Sequence, residues 1–287
     1  MNQEFKETFM KCVFMLCASI SILTIILIFY FIFKGGVPFI LEEGIGNFIF
    51  GTDWRPTASE PFFGILPMII GSILVTIGAV IIGVPLGVLT AIFMVFYCPS
   101  KWYKWLKSAI NLMAAIPSIV YGFFALQIFV PFFRIIGGSG MNMVTASVLL
   151  GIMILPTIIG LSEASIRAVP KHYYEGSVGL GANHERSVLA VVVPAARQGI
   201  MSAVVLGIGR AIGETMAVIL VAGNQPRVPV ALNQGVRTMT TNIVLEMAYA
   251  VGKHREALIA TAVVLFIFIL LINGIFLWMR SREGGQR

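Results

Sequence analysis

The apolar positions of this chain fall into six long runs that are separated by more polar segments. A helix needs about 20 apolar residues to cross the hydrocarbon core of a membrane. The pattern predicts six transmembrane helices, at 12–33, 67–97, 108–133, 143–162, 198–222 and 257–279. The second run is longer than a bilayer requires, so we expect it to tilt, to bend at Gly83-Val84-Pro85, or to begin outside the hydrocarbon.

Composition agrees with a membrane protein. Hydrophobic residues make up 58% of the 287 residues, charged residues make up 11%, and the mean hydropathy is +0.93. Soluble proteins carry about 25% charged residues. The net charge of +7 indicates membrane orientation, because no basic patch with interleaved aromatic residues points to nucleic acid. Cys12, Cys17 and Cys98 have neither metal-ligand spacing nor a disulfide framework. The first run follows Lys6 and Lys11 and is too long for a signal-peptide core, so we expect a retained span.

Lysine and arginine residues orient the predicted helices. If both termini are cytoplasmic, twelve basic residues lie inside and seven outside, in agreement with the positive-inside rule. The inside set is Lys6, Lys11, Lys101, Lys104, Lys107, Arg167, Lys171, Arg186, Arg197, Arg280, Arg282 and Arg287. The outside set is Lys34, Arg55, Arg134, Arg227, Arg237, Lys253 and Arg255. Three lysines of the inside set and their neighbouring tryptophans are predicted to anchor the chain at the cytoplasmic interface. They are Lys101, Lys104 and Lys107. Glu163 and Arg167 form a predicted boundary pair.

The inside connection, 163–197, carries the signals of two short helices. Pro170 suits the first turn of a helix, and Gly179 and Gly181 suit its end. Asn183 is a good N-cap for a second helix, which Pro194 interrupts. We therefore expect a helix, a glycine turn and a helix. The last outside connection, 223–256, is polar and punctuated by Gly and Pro, as loops are.

Arg210 and Glu214 are the only charged residues of the fifth predicted span, and Arg210 lies near its midpoint. A charge at that depth costs about 2.5–3.5 kcal/mol on insertion scales and is by default functional. A guanidinium matches the oxygens of an oxyanion, so the residues predict an anion path. The structural alternative is an intrahelical salt bridge, in the less favourable order. We expect Glu214 either to hold Arg210 until a ligand competes or to accept the O–H of a protonated oxyanion. Gly209 and Gly213 are expected to let neighbouring helices approach.

The inside connection resembles the EAA loop of ABC-importer permeases. The matching residues are Glu175, Gly176, Ser177, Gly181, Ala182, Val191, Val193 and Pro194. Gly and Ser replace the two alanines of that motif, and Val replaces the usual Ile and Leu, which keeps size and polarity class. In that family the loop is the coupling helix that docks into a cleft of the cytoplasmic ATPase. The alternative is an ordinary amphipathic interfacial helix.

A wider resemblance covers most of the chain, from about residue 45 to 224. The segments GTDWRP, FGILPMIIGSILVT, GVPLGVLTAIF, IPSIVYGF, ILPTIIGLSEASIRAVP and GRAIGETMAVILVAGN are together similar to the PstC-type permease of phosphate-specific (Pst) ABC importers. The resemblance implies an all-α membrane protein with six transmembrane helices and a MetI-like permease fold, multi-pass in a bacterial or archaeal plasma (inner) membrane. It also implies that Arg210 and Glu214 take part in phosphate passage, whereas the residues themselves indicate only an oxyanion.

The resemblance also implies partners. These are a second permease subunit of the PstA type, an ATPase dimer of the PstB type and an extracytoplasmic phosphate-binding protein of the PstS type, together with membrane lipid. The chain itself is expected to bind no cofactor, because ATP and Mg would be bound by the partner ATPase, and no Walker A loop is present. Transport is expected to proceed by alternating access, coupled through 170–195.

The predicted organisation has three parts: the N-terminal span and first extracytoplasmic loop (1–66), the permease core (67–280) with its coupling loop (165–197), and a cytoplasmic tail (281–287). An intramembrane enzyme is not expected, because His172, His184, His254 and Asp53 all lie outside the predicted spans. The remaining alternative is an autonomous oxyanion channel or secondary transporter, which would have no use for the EAA-like loop.

Overall fold

The computed structural model describes residues 3–284, and this part of the chain is mostly helical. In chain order its elements are α1 (Gln3–Glu43), α2 (Ile45–Phe50), β1 (Trp54–Arg55), β2 (Phe62–Phe63), α3 (Leu66–Phe96), α4 (Ser100–Ala115), α5 (Ser118–Ile136), α6 (Met143–Arg167), α7 (Lys171–Gly179), α8 (His184–Arg186), a π-helical segment (Ser187–Val192), α9 (Val193–Ala195), α10 (Arg197–Gly213), α11 (Met216–Val221), α12 (Met239–Met247) and α13 (Lys253–Gly284). The two strands form an antiparallel hairpin in which Trp54 pairs with Phe63.

Five helices within residues 3–284 are long and apolar enough to cross a membrane. They are Lys6–Glu43, Leu66–Phe96, Ser118–Ile135, Met143–Arg167 and Lys253–Phe276. A sixth exists if His184–Ala195 and Arg197–Gly213, which meet at 67°, count as one broken span. The first, second, fourth and sixth predicted spans are therefore confirmed as helices, and α3 continues through Pro85 without interruption. The predicted tail is helical as far as Gly284, and Arg287, counted with the inside charges, lies outside the described residues.

The third predicted span, 108–133, is wrong at its start. Two helices replace it, because α4 ends at Ala115 and α5 begins at Ser118. Ile116 is extended, with φ −67° and ψ 127°, as expected for a residue that precedes a proline. Helix α4 is amphipathic and places Ile110 in a small apolar cluster with Met94 of α3 and Ile159 of α6.

Helix α6 lies at the centre of the bundle. It packs against α3 and α10, and to a smaller extent against α4, α5 and α11. The approach of α3 requires a glycine, because a Cβ on Gly83 would lie 2.7 Å from the side chain of Ile154. Helix α1 packs chiefly against α13. Helix α6 is therefore the most deeply buried of the five candidate spans, and α1 is the least buried.

The two ends of the bundle are built differently. We call the end formed by the β-hairpin, α12 and the first turn of α13 the hairpin side. Its aromatic cluster includes Phe39, Phe48, Trp54 and Phe63. We call the opposite end, formed by residues 168–196, the coupling side, where Val188 and Val192 pack with Ala91 and Ile92 of α3.

Candidate anion path and coupling loop

The fifth predicted span, 198–222, is not one helix. Helix α10 ends at Gly213 and α11 begins at Met216. Between them Glu214 is extended, with φ −68° and ψ 132°. Arg210 and Glu214 are therefore not stacked on one continuous helix. The expected i,i+4 geometry is wrong for this reason, because the backbone turns away one residue before Glu214.

Arg210 lies half-buried near the end of α10. Its Nη1 donates a hydrogen bond to Thr157 Oγ1 on α6, over 3.0 Å. No carboxylate oxygen within residues 3–284 lies within ion-pair distance of this guanidinium. The charge of Arg210 is therefore oriented by a neutral hydroxyl and remains available to an anion. The salt bridge that the sequence left open as an alternative is not formed.

Glu214 has local partners instead. Its Oε1 accepts a hydrogen bond from the backbone N–H of Ala217 over 3.1 Å, which caps the first turn of α11. Its backbone carbonyl, freed by the break, accepts a hydrogen bond from Thr240 Oγ1 of α12 over 3.1 Å. The break thus joins three elements, and Glu214 connects the candidate anion path to the hairpin side.

The close approach of α6 and α10 depends on glycines other than those predicted. A Cβ added to Gly209 or Gly213 would have no neighbouring atom within 4 Å in the described part of the chain, so no other helix of this chain makes the predicted close approach there. By contrast, a Cβ on Gly207 would lie 3.0 Å from Ile158 Cγ1, and one on Gly199 would collide with Ser165 Oγ. These two positions let α10 lie against α6.

The coupling loop has the predicted helix, glycine turn and helix. Pro170 is the N-cap of α7, and Gly181 has φ +87°, which glycine adopts without strain. Asn183 Oδ1 accepts a hydrogen bond from the backbone N–H of Arg186 over 2.9 Å, so the predicted N-cap is confirmed. The second helix includes a π-helical segment that the sequence did not predict, and it bends by 67° before α10, next to Pro194.

Side chains fasten this loop into one body. Tyr174 and His184 are joined through the phenol oxygen and Nδ1 over 2.8 Å, and Phe96 of α3 stacks on Tyr174. Ser187 Oγ donates to Ser177 Oγ over 3.0 Å. A stiff element of this kind can transmit a rigid-body movement, which a mobile loop would absorb.

The residues matched to the EAA motif divide into two groups by exposure. Glu175, Gly176, Gly181 and Pro194 are exposed, and Ser177, Ala182, Val191 and Val193 are half-buried. Sequence reasoning missed their neighbour Leu180, whose side chain is 93% exposed at the tip of the loop. The sequence feature that could have indicated Leu180 is its position as a single large apolar residue between two glycines.

Glu163 binds more side chains than the sequence predicted. The predicted pair with Arg167 is confirmed, with Nε and Oε1 2.9 Å apart. In addition, Lys107 Nζ lies 2.6 Å from Oε2, and Tyr103 donates its phenol hydrogen to Oε1 over 2.6 Å. Two residues of α4 thereby attach that helix to the end of α6, directly before the coupling loop.

The hairpin side contains a polar network that sequence reasoning missed, in a connection predicted as loop. Helix α12 carries Glu246, whose side chain is 9% exposed. Glu246 Oε1 lies 2.5 Å from Arg237 Nη1. Its Oε2 lies 2.8 Å from His254 Nε2 and accepts a hydrogen bond from Trp54 Nε1 over 3.0 Å. These four residues line a cavity of about 390 Å³ together with residues 55–58. The sequence feature that could have indicated α12 is the run of threonines at its start, where Thr238 is the N-cap.

Comparison with known proteins places this bundle in a family. Residues 83–283 match the family described as binding-protein-dependent transport system inner membrane component. The chain belongs to this family. Because its relatives are permease subunits of transporters, this inner membrane component is a transport subunit, and the expectation that it is not an enzyme is confirmed.

Relatives of this inner membrane component cover nearly its whole length. A probable ABC transporter permease protein, YqgH, of Bacillus subtilis (strain 168) is 37% identical over 282 residues, which cover 95% of this chain and 91% of the relative. The phosphate transport system permease protein PstC of Mesorhizobium japonicum is 33% identical over 258 residues, which cover 82% of this chain and 78% of the relative. The PstC protein of Haemophilus influenzae is 32% identical over 309 residues, covering 98% and 95%.

Solved transporter structures share the fold of this inner membrane component. A bacterial alginate ABC transporter, in complex with an alginate pentasaccharide-bound periplasmic protein, gives a TM-score of 0.64 at 15% identity and covers 96% of this chain and 97% of its own. The MetNI methionine ABC transporter in an inward facing conformation gives 0.61 at 19% identity and covers 76% and 95%. The predicted all-α membrane fold of the MetI-like permease type is confirmed.

Proposed function

We propose that this inner membrane component is the PstC-type permease subunit of an ATP-driven importer of inorganic phosphate. The observation that carries the proposal is the half-buried guanidinium of Arg210, which has no carboxylate partner within residues 3–284 and lies on the helix that follows the coupling loop. A permanent cation at this depth is costly unless it serves a passing anion. Relatives named as phosphate transport permeases support phosphate as that anion.

The partners in this proposal divide between the two sides of the membrane. An ATPase dimer of the PstB type, which binds ATP and Mg, meets the cytoplasmic coupling side through Glu175, Gly176, Ser177, Gly181, Ala182 and Pro194. A second permease of the PstA type completes the path. A phosphate-binding protein of the PstS type docks on the hairpin side, at 34–62 and 223–256. Both chain termini are cytoplasmic in this arrangement.

Transport in this proposal proceeds by alternating access. Closure of the partner ATPases moves residues 170–195, and α10 carries the movement to Arg210. Glu214 Oε1 is engaged by the Ala217 N–H, while its second oxygen can accept the O–H of a protonated phosphate. Arginine therefore attracts the anion, and Glu214 favours the protonated form over a fully ionised one.

The test is phosphate uptake by the assembled transporter in vesicles, with and without ATP. We expect Arg210→Gln to lose at least about 2 kcal/mol of interaction with the anion, or about 30-fold in uptake rate. Arg134→Gln is the matched control, because Arg134 is exposed and, within residues 3–284, donates only to the backbone oxygen of Ser139. Unchanged uptake by Arg210→Gln would overturn the proposal. Uptake that continues without ATP would instead favour an autonomous channel or secondary transporter.

A further inference from the structure

The charge of Arg210 is not neutralised by Glu163 of α6 or by Glu214 in the helix break. Glu163 is already bound by Tyr103, Lys107 and Arg167. Glu214 caps α11 from beyond the helix break. The one side-chain partner of the guanidinium within residues 3–284 is the hydroxyl of Thr157. An arginine held by a neutral group keeps its full attraction for an anion, whereas a carboxylate partner would have to be displaced first.

The hydroxyl of Thr157 differs from several other hydroxyls on the long helices. Ser147, Ser165, Ser202 and Thr261 each donate to the carbonyl four residues earlier, over 2.7 to 2.9 Å. Thr157 makes no such bond in the part of the chain that the structure describes. Its oxygen accepts from Arg210, so its hydrogen is left to donate elsewhere.

Packing holds this hydroxyl in place. Thr157 is flanked on α6 by buried residues on both sides, and Ile158 touches α10 where Gly207 allows the approach. Threonine on a helix is restricted mainly to two χ1 rotamers, and the rotamer present here directs the oxygen at Arg210. The oxygen of Thr157 and the guanidinium of Arg210 are therefore presented together, from two helices, 3.0 Å apart.

We propose that Thr157 is the second group of the oxyanion site. Its hydroxyl orients Arg210 in the empty protein, and its free hydrogen donates to the same phosphate oxygen atoms that the guanidinium binds. The inference rests on the proposed function, because it assigns a second donor to the same path. A hydroxyl suits this place, since it can accept from arginine and donate to an anion at once.

The experiment compares variants of Thr157 in the assembled transporter with saturating phosphate-binding protein. Uptake of phosphate and hydrolysis of ATP are both measured, and the ratio of phosphate carried to ATP hydrolysed is the deciding quantity. We expect Thr157→Val to lower this ratio by about 10- to 100-fold, the usual effect of losing a hydrogen bond to a charged group. We expect Thr157→Ser, which keeps the hydroxyl, to restore most of it. Thr261→Val, which removes a buried hydroxyl that is bonded to its own helix, is the matched control and should behave as the parent.

Each result tests either the role of Thr157 or the proposed function itself. An undiminished ratio in Thr157→Val, combined with lost uptake in Arg210→Gln, overturns this inference and leaves the proposed function standing. Undiminished uptake in Arg210→Gln overturns the proposed function itself. If Thr157→Val does not assemble, Thr157→Ala and Thr157→Ser give the same comparison of variants without and with a hydroxyl. Equal ratios in that pair also overturn the inference.

Discussion

The buried carboxylate of Glu246 offers the sharpest test of the hairpin side. Glu246→Gln keeps the size of the side chain and removes its charge. Arg237, only 14% exposed, then loses the carboxylate that it pairs with. Because glutamine has a single acceptor oxygen, it cannot accept from Arg237 on one side and from Trp54 on the other. Breaking a buried pair at one partner costs about 3–5 kcal/mol, and for a chain of this size about 3 kcal/mol lowers the unfolding temperature by about 6 °C or more.

Thermal unfolding in lipid nanodiscs measures this effect. Glu256→Gln is the matched control, because Glu256 is an exposed acid in the first turn of α13, on the same side of the bundle as Glu246. Unfolding temperatures within about 1 °C of each other for the two variants would refute the reasoning, since an exposed charge contributes little and a buried pair contributes much.

Two further predictions concern helix packing and coupling. Gly207→Val should cost about 1–3 kcal/mol in unfolding measurements, because a Cβ there already lies 3.0 Å from Ile158. Gly209→Ala, with nothing within 4 Å, should cost less, and equal losses would contradict the assigned contact. Leu180→Asp should lower retention of the partner ATPase in co-purification by about tenfold or more, because it charges a 93% exposed apolar tip. Leu232→Asp, 66% exposed on the hairpin side, is the control, and equal retention would argue against coupling through Leu180.

Features that depend on neighbouring residues could be predicted from the sequence. Pro170, Gly181 and Asn183 each act within one turn of chain, and the coupling loop forms where they indicate. The long spans were predictable because bilayer thickness sets their length. The error at the third span was avoidable, since Pro117 restricts the residue before it.

Features that depend on distant residues could not be predicted. Thr157 and Arg210 are 53 positions apart, and Trp54 and Glu246 are 192 positions apart. Nothing in the apolar pattern says which helix faces which. The break at Glu214 could not be predicted for a similar reason. The backbone carbonyl of Glu214 that the break frees accepts a hydrogen bond from Thr240. Thr240 lies on α12, a helix that the polar composition of 223–256 did not indicate.

The break at Glu214 also divides the fifth span between two packing partners. Helix α10 packs chiefly against α6, whereas α11 packs chiefly against α5. The span is therefore two helices held by different neighbours and not a single rod. In the proposed mechanism, a movement that begins at the coupling side would displace α10 without obliging α11 to follow. Arg210 and Glu214 lie on opposite sides of the break, so the distance between them would then change with each transport cycle.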